Sequence, residues 1–281
     1  MRIDIIPIWV LFVGTILLVK GSIELGYRLG RMVRRRSEDE KESPVSAIAG
    51  SVLGLVAFML AFTFGIVTER YDTRKGLVRE EANTLRTTWH RSDFLPEPDR
   101  TEAKALLRKY LANRLPTDQS KLSRTAFEKK VRQVLSEADE IQGRLWDMAV
   151  VNARKDMNSD VAALYVDSLN QMAEVHASRV AIALQQRIPL GIWLVLLCLT
   201  SLGMAALGYQ TGIAGSKRSL AQPLLAVSFS MVVALIASLD RPVNTFVKVP
   251  QQPLIDLYNS MTSGDGRAKQ SSNQSTNETS P

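Results

Sequence analysis

The residue types that most often carry enzyme chemistry are scarce in this chain of 281 residues. Its two histidines, His90 and His176, lie in neither HExxH nor another spacing typical of metal ligands. The single cysteine, Cys198, cannot form a disulfide within the chain, and its apolar surroundings predict a buried residue. The nucleotide-binding and hydrolase motifs GxxxxGK[ST], GxGxxG after a strand and GxSxG do not occur. We therefore expect no enzyme, no cofactor and no metal site.

Polar chemistry is instead concentrated at the edge of an apolar segment, in Asp240, Arg241 and Pro242. A carboxylate and a guanidinium at that depth must be paired, hydrated or close to the membrane surface, which makes them candidate functional residues. An interfacial anchor with Pro242 as the helix stop accounts for the same residues equally well. Both interpretations stay open.

The distribution of charge along the chain decides its class. Four stretches carry no charged residue, namely 5–19, 47–67, 188–216 and 219–239. A bilayer core of about 30 Å needs roughly 20 apolar residues in a helix. The last three stretches meet this length, and the first can span as a tilted, uncleaved anchor, which we favour over a signal peptide. The lipid bilayer is therefore the expected environment.

The orientation of these spans follows from lysine and arginine in the short connections. The connection 20–45 contains seven basic residues and the connection 210–218 contains two. With four spans these connections share one side, which the charge rule places in the cytoplasm. We therefore expect a membrane protein whose termini and segment 68–187 lie outside the cytoplasm. The net charge of +7 lies largely beside the spans, so we expect no nucleic-acid partner.

Segment 68–187 is rich in charge and shows helical periodicity throughout. The second span is expected to continue into it as one long helix, and Asp99 and Glu102 have the spacing of a capping box for the next helix. Apolar stripes that include Trp146, Val161 and Leu164 predict the core of an antiparallel bundle of four helices. The fold class is therefore all-α, with an extramembrane bundle inserted between spans two and three.

The expected domains follow from these assignments. They are 1–67 with two membrane helices and a basic loop, 68–187 with the bundle, 188–241 with two further membrane helices, and 242–281 as a C-terminal segment with a disordered tail from about residue 262.

Small and hydroxyl residues within the spans suggest helix contacts. Gly50 and Gly54 form a GxxxG pattern, which favours close helix packing or oligomerisation. Thr63, Ser228 and Ser230 can line a polar path or bond back to their own helices, and the second alternative is favoured.

The arginine-rich segment 23–36 has two interpretations. It can form a helix that lies on anionic lipid, or it can be a solvated run that stops transfer.

Several motifs occur together and in order. They are LVAFMLAFTF at 55–64, RYD at 70–72, LVREEAN at 77–83, FLPEP at 94–98, SLDRP at 238–242 and VPQQPL at 249–254. This set resembles the bacterial bestrophin-like domain family. Besides Asp240, Arg241 and Pro242, the resemblance points to Arg70, Tyr71, Asp72, Glu81 and Asn83 as candidate functional residues.

The resemblance implies distant kinship with bestrophins, which are pentameric anion channels with four spans and a helical domain between spans two and three. An oligomeric channel for small anions, formed by several copies of the chain, is therefore the leading functional hypothesis. The alternative is a membrane-anchored scaffold or sensor whose bundle binds partners. Bestrophins hold their helical domain in the cytosol, whereas the charge rule places segment 68–187 and both termini outside. In the bacterial inner membrane that the resemblance implies, this side is the periplasm.

Overall fold

The computed structural model describes residues 7–36, 42–115, 124–184, 187–215, 221–241 and 247–263. Within these ranges the regular structure is helical. Pro242 and most of the predicted disordered tail lie outside the described residues.

Eight α-helices follow one another through the described ranges. They are α1 (Ile8–Arg36), α2 (Glu42–Arg91), α3 (Asp99–Arg114), α4 (Arg124–Ala153), α5 (Asp160–Leu184), α6 (Leu190–Ile213), α7 (Ala221–Asp240) and α8 (252–263), with a 3-10 turn at Ser92–Phe94. Among them, α1, α2, α6 and α7 are long and apolar enough to cross a membrane. The predicted all-α fold with four spans is confirmed. The chain forms two compact units that both include part of α2.

The first unit contains α1, the beginning of α2, α6 and α7. Its α1 and α6 run parallel, because Gly26 lies against Ala205 and Gly30 lies against Tyr209. A Cβ atom on either glycine would collide with the backbone carbonyl oxygen of the facing helix. Glycine is therefore required at these contacts, where it lets two backbones touch in an environment without a hydrophobic driving force.

This packing explains why α1 is longer than the uncharged stretch from which it was predicted. The 29 residues of α1 continue past Lys20 and Glu24 to Arg36, because the glycine contacts hold this half against α6. The segment 23–36 is thus not a separate helix but the last part of α1.

Hydroxyl groups within the spans bond to their own helices, as favoured from the sequence. Thr63 donates to the Met59 carbonyl at 2.7 Å, and Ser230 donates to the Ala226 carbonyl at 2.8 Å. Ser228 is bonded in the same way. Cys198 differs from expectation, since it is exposed on the surface of α6 rather than buried.

The second unit is a bundle of the later part of α2 with α3, α4, α5 and α8. Its buried core draws on every one of these helices and includes Leu85, Leu107, Tyr110, Leu111, Ile141, Leu145, Tyr165, Met172, Leu254 and Leu257. The continuation of α2 to Arg91 was predicted correctly, and the helix ends shortly before Pro96.

Two details of the bundle differ from the sequence-based expectations. Asp99 is the first residue of α3 rather than its cap, and its carboxylate accepts a hydrogen bond from the Asn152 amide at 2.6 Å. Trp146, Val161 and Leu164 were expected in the core but are 41%, 44% and 44% exposed. Helical periodicity cannot show how wide the covered stripe is, so residues at its border were misplaced.

Candidate functional site

Two clusters contain three of the eight predicted functional residues, Arg70 and Asp240 in the first unit and Glu81 in the second. The first, which we call the Asp240 cluster, consists of Arg70, Ile188 and Asp240. An oxygen of the Asp240 carboxylate accepts hydrogen bonds from the Arg70 guanidinium at 3.3 Å and from the Ile188 backbone amide at 3.2 Å. Asp240 is only 7% exposed. The carboxylate therefore ties together α2, the residues that precede α6, and the end of α7.

The surroundings of the Asp240 cluster account for other members of the predicted set. Arg241 is buried at 5% exposure beside Asp240. The Tyr71 hydroxyl donates to the Lys248 carbonyl at 3.3 Å, so it secures the chain that follows α7. Asp72 is exposed on α2. The structure thus brings Arg70, Asp240 and Arg241 to one end of the first unit.

The second cluster, which we call the Glu81 cluster, lies inside the bundle. It consists of Glu81 from α2, Tyr110 and Arg114 from α3, and His176 and Arg179 from α5. Glu81 accepts a hydrogen bond from the Tyr110 hydroxyl at 3.2 Å and pairs with the Arg114 guanidinium at 3.4 Å. Its second carboxylate oxygen pairs with Arg179 through a contact that lacks normal hydrogen-bond geometry.

The remaining contacts close this network. Arg114 donates to the Tyr110 hydroxyl at 2.9 Å, and its guanidinium also contacts the ring nitrogen Nδ1 of His176. The Tyr110 hydroxyl lies 3.2 Å from the same nitrogen. Asp139 approaches the opposite nitrogen of His176 at 3.7 Å from the exposed side.

Burial sets the ionisation of the Glu81 cluster. Burial and the positive charge of Arg114 lower the pKa of His176 to about 4, so its ring is neutral at pH 7. Burial also lowers the pKa of Arg179 to about 10 and raises the pKa of Tyr110. The buried Glu81 side chain faces the guanidinium groups of Arg114 and Arg179.

The segment after the fourth span reaches the same cluster. The Arg179 guanidinium donates to the Gln251 side-chain carbonyl at 3.5 Å, and Gln251 in turn donates to the Val249 carbonyl at 3.1 Å. Leu254 is fully buried in the bundle core. Asn83 is exposed on α2. The motif at 249–254 is thus explained by docking of this segment in the second unit.

The Glu81 cluster is a buried network of ion pairs and hydrogen bonds. No group of three or more histidine, cysteine, aspartate or glutamate side chains among the described residues could hold a metal ion. A cavity of about 200 Å³ in the bundle is lined by Phe94, Leu95, Pro96, Asn152 and Tyr165, among others, and by no residue of this network. The geometry supports positioning of α2, α3 and α5, since each supplies a charged or polar partner.

Four members of the Glu81 cluster were not predicted from the sequence. Tyr110 was assigned to an apolar stripe, and Arg114 and Arg179 were not separated from the solvated charges of the bundle. A signal was present nonetheless, because His176 and Arg179 share a helical face with the buried Met172. Polar residues that recur within a core stripe indicate a buried network.

The predicted packing role of Gly50 and Gly54 has no counterpart within the protomer. A Cβ atom on either residue would meet nothing within 4 Å among the described atoms. The close helix contact is made instead by two other GxxxG patterns, Gly26 to Gly30 and Gly208 to Gly212. Packing of Gly50 and Gly54 therefore stays a prediction about contact between copies.

Comparisons with known proteins agree with this architecture. The sequence matches the model of the bestrophin-like domain over residues 16–254. Two single-substitution variants of a bacterial bestrophin homologue from Klebsiella pneumoniae superpose with a TM-score of 0.58 at 17% identity, over 90% of this chain and 97% and 96% of theirs. A crystal structure described as a membrane protein has a TM-score of 0.57 at 16% identity, over 91% of this chain and 95% of its own. No curated protein sequence matches this chain.

Proposed function

This chain belongs to the bestrophin-like domain family, and from this premise we propose that it forms an oligomeric channel for small anions in a bacterial inner membrane. Membership over most of the chain is the observation that carries the proposal, because bestrophins conduct anions as oligomers. The four spans and the bundle inserted after the second span match the arrangement that the resemblance implies.

The uncovered face of α2 supports the oligomeric part of the proposal. Only 17% of the most apolar part of α2 is buried within the protomer, compared with 44% for α7. This face carries Gly50 and Gly54 together with Phe58 and Phe62, whose rings stack with centroids 6.5 Å apart. Small residues on an open membrane helix favour close contact with a neighbouring helix. We therefore propose that α2 meets other copies of the chain.

We also propose a position for the conduction path. Because the hydroxyl groups of Thr63, Ser228 and Ser230 bond to their own helices, we place the path between copies rather than inside one protomer. The Asp240 cluster, with Arg241 beside it, would hold α2, the residues that precede α6 and the end of α7 in fixed positions around this path.

A flux measurement tests this proposal. The mass of the purified oligomer is determined by native mass spectrometry. The protein is then reconstituted in liposomes, and chloride efflux is recorded. Asp240→Asn removes the charge that pairs with Arg70, and we expect efflux to change several-fold while the oligomer mass stays constant. Asp147→Asn, which removes an exposed carboxylate of α4, is the matched control and should conduct normally. A folded oligomer that conducts no anion would refute the channel.

The orientation of the bundle is also a proposal, for which we retain the periplasmic placement given by the charge rule. Single cysteines introduced by Ser136→Cys and Arg36→Cys in a Cys198→Ser background test it. Both positions are exposed. Labelling of Ser136→Cys in intact spheroplasts by an impermeant maleimide would support this placement. Labelling of only Arg36→Cys would establish the cytosolic arrangement of bestrophins.

The scaffold or sensor remains the second candidate because the bundle exposes apolar side chains. Trp146, Val161 and Leu164 are each more than 40% exposed, and Met157 is 81% exposed. Exposed apolar residues of this size favour a protein partner when they are contiguous. Replacement of Met157 and Leu164 by serine should leave chloride efflux unchanged if the protein is a channel only. Loss of a copurifying protein without change in efflux would favour the scaffold.

A further inference from the structure

We propose that the last turns of α1 bind the headgroups of anionic lipids through a cationic edge formed by Arg28, Arg31 and Arg35. The proposal concerns a lipid site on the protein surface and does not depend on ion conduction. It rests on three properties of α1: its continuity, its register against α6 and the side chains on its outer face.

The register shows which part of α1 reaches the membrane surface. Because α1 and α6 are parallel, Gly26 lies level with Ala205, and Gly30 lies level with Tyr209. The uncharged α6 ends at Ile213, close to the level of Gly30. The side chain of Gln210 also donates to the Ser46 hydroxyl at 3.1 Å near this end. Arg28 to Arg35 therefore occupy the level at which α6 leaves the apolar region.

The glycine contacts fix the rotation of α1 about its own axis. Ile23, Gly26 and Gly30 are buried against the unit, so residues on the opposite side of the helix must face outward. Leu25, Leu29 and Met32 occupy this outer side and are 58%, 47% and 49% exposed. Their spacing of four and then three residues forms one continuous apolar stripe.

The arginines run beside this stripe. Arg28, Arg31 and Arg35 recur at intervals of three and four residues, which places them along one edge of the same outer face. All three are exposed. Glu24 pairs with Arg28 at 2.8 Å, and it is the only acidic residue among the five arginines of 24–36.

The apolar stripe and its cationic edge are complementary to an anionic lipid rather than to water or to another protein. Leucine and methionine side chains contact acyl chains at the boundary of the bilayer, while guanidinium groups form paired hydrogen bonds with phosphate. Anionic phospholipids supply both the acyl chain and an uncompensated negative charge. A second copy of this chain would bring the same positive charge to the contact and would be repelled.

Thermal unfolding of the full-length protein in detergent provides the test. We expect dioleoylphosphatidylglycerol to raise the unfolding temperature and dioleoylphosphatidylcholine to have little effect. Arg28→Gln, Arg31→Gln and Arg35→Gln together should weaken binding of phosphatidylglycerol on the order of 100-fold, since each arginine near an anionic surface contributes about 1 kcal/mol. Native mass spectrometry should show fewer retained anionic lipids.

The matched control removes the same number of charges from the bundle. Arg86, Arg132 and Arg154 are exposed, and their replacement by glutamine should leave phosphatidylglycerol binding unchanged. Equal losses in the two triple variants would show nonspecific charge attraction and overturn the proposal. A changed oligomer mass in the α1 variant would show that this face contacts another copy, which would also overturn it. A channel without conduction would leave the lipid result unaffected.

Discussion

Removal of the negative charge of Glu81 is the most informative single change in the bundle. The carboxylate is 1% exposed and faces Tyr110, Arg114 and Arg179. In Glu81→Gln the two guanidinium groups lose their shared counter-charge but stay largely buried, since their side chains are 12% and 20% exposed. Breaking a buried pair by removing one partner costs about 3–5 kcal/mol. Because both arginines retain some contact with solvent, we expect a value near the lower end, about 3 kcal/mol.

Hydrogen exchange of the full-length protein in detergent, followed by mass spectrometry, measures this loss of stability separately for each helix of the bundle. A loss of about 3 kcal/mol should accelerate exchange of the protected amides in α3 and α5 on the order of 100-fold. Glu80→Gln is the matched control, because Glu80 is the exposed neighbour on the same helix. Its exchange should match that of the unmodified protein.

A double variant separates the loss of pairing from other effects of the substitution. Glu81→Gln combined with Arg179→Gln removes one of the two arginine charges that the single variant leaves buried without a counter-charge. Amide exchange in the double variant should therefore be slower than in Glu81→Gln alone. Exchange of Glu81→Gln within about twofold of the unmodified protein would refute the claim that this ion pair stabilises the bundle.

Two further predictions concern pH and helix packing. The pKa of His176 is lowered from 6.5 to about 4 in the folded protein, so unfolding is accompanied by uptake of a proton between pH 4 and pH 6.5. The contribution of the neutral ring to the free energy of unfolding is therefore fully present above pH 6.5. It decreases towards pH 4 by at most about 3 kcal/mol. In His176→Gln, denaturant unfolding followed by fluorescence should show a flatter dependence over this range, and an unchanged slope would contradict the assignment. Gly26→Leu should destabilise the first unit by more than about 3 kcal/mol because its side chain meets the Ala205 backbone. Gly54→Leu should leave the unfolding temperature of the protomer unchanged, since no atom of the described residues lies within 4 Å of a Cβ at this position. Equal decreases in stability for Gly26→Leu and Gly54→Leu would contradict the claim that the α1–α6 contact requires glycine.

The sequence predicted the spans well because an apolar helix of about 20 residues without a single charge is typical of a membrane-spanning segment. It predicted α1 less well, since Lys20 and Glu24 interrupt the apolar run on the outer side of the helix. The cause of its continuation is the fit of Gly26 against Ala205, which depends on a residue far along the chain. Hydropathy is a local property and does not contain this information.

The candidate site shows the same division between local and distant causes. Asp240 was found from its position at the edge of a span, whereas its pairing with Arg70 joins residues that are 170 positions apart. Glu81 was indicated only by a family motif, and the local signal for its partner Arg179 is no more than a position on the same helical face as Met172. Burial of an arginine is decided by the packing of α2, α3 and α5 together, which periodicity along one helix does not specify.

The parallel contact of α1 with α6 has a consequence for biosynthesis. Gly26 is translated about 180 residues before Ala205, so at roughly 5–20 residues per second α1 waits on the order of 10–40 s for its partner. During this interval its glycine surface is open to lipid and to any nascent helix nearby. Substitutions in α6 that delay pairing should therefore lower the yield of inserted protein through quality control, even where the finished fold tolerates them.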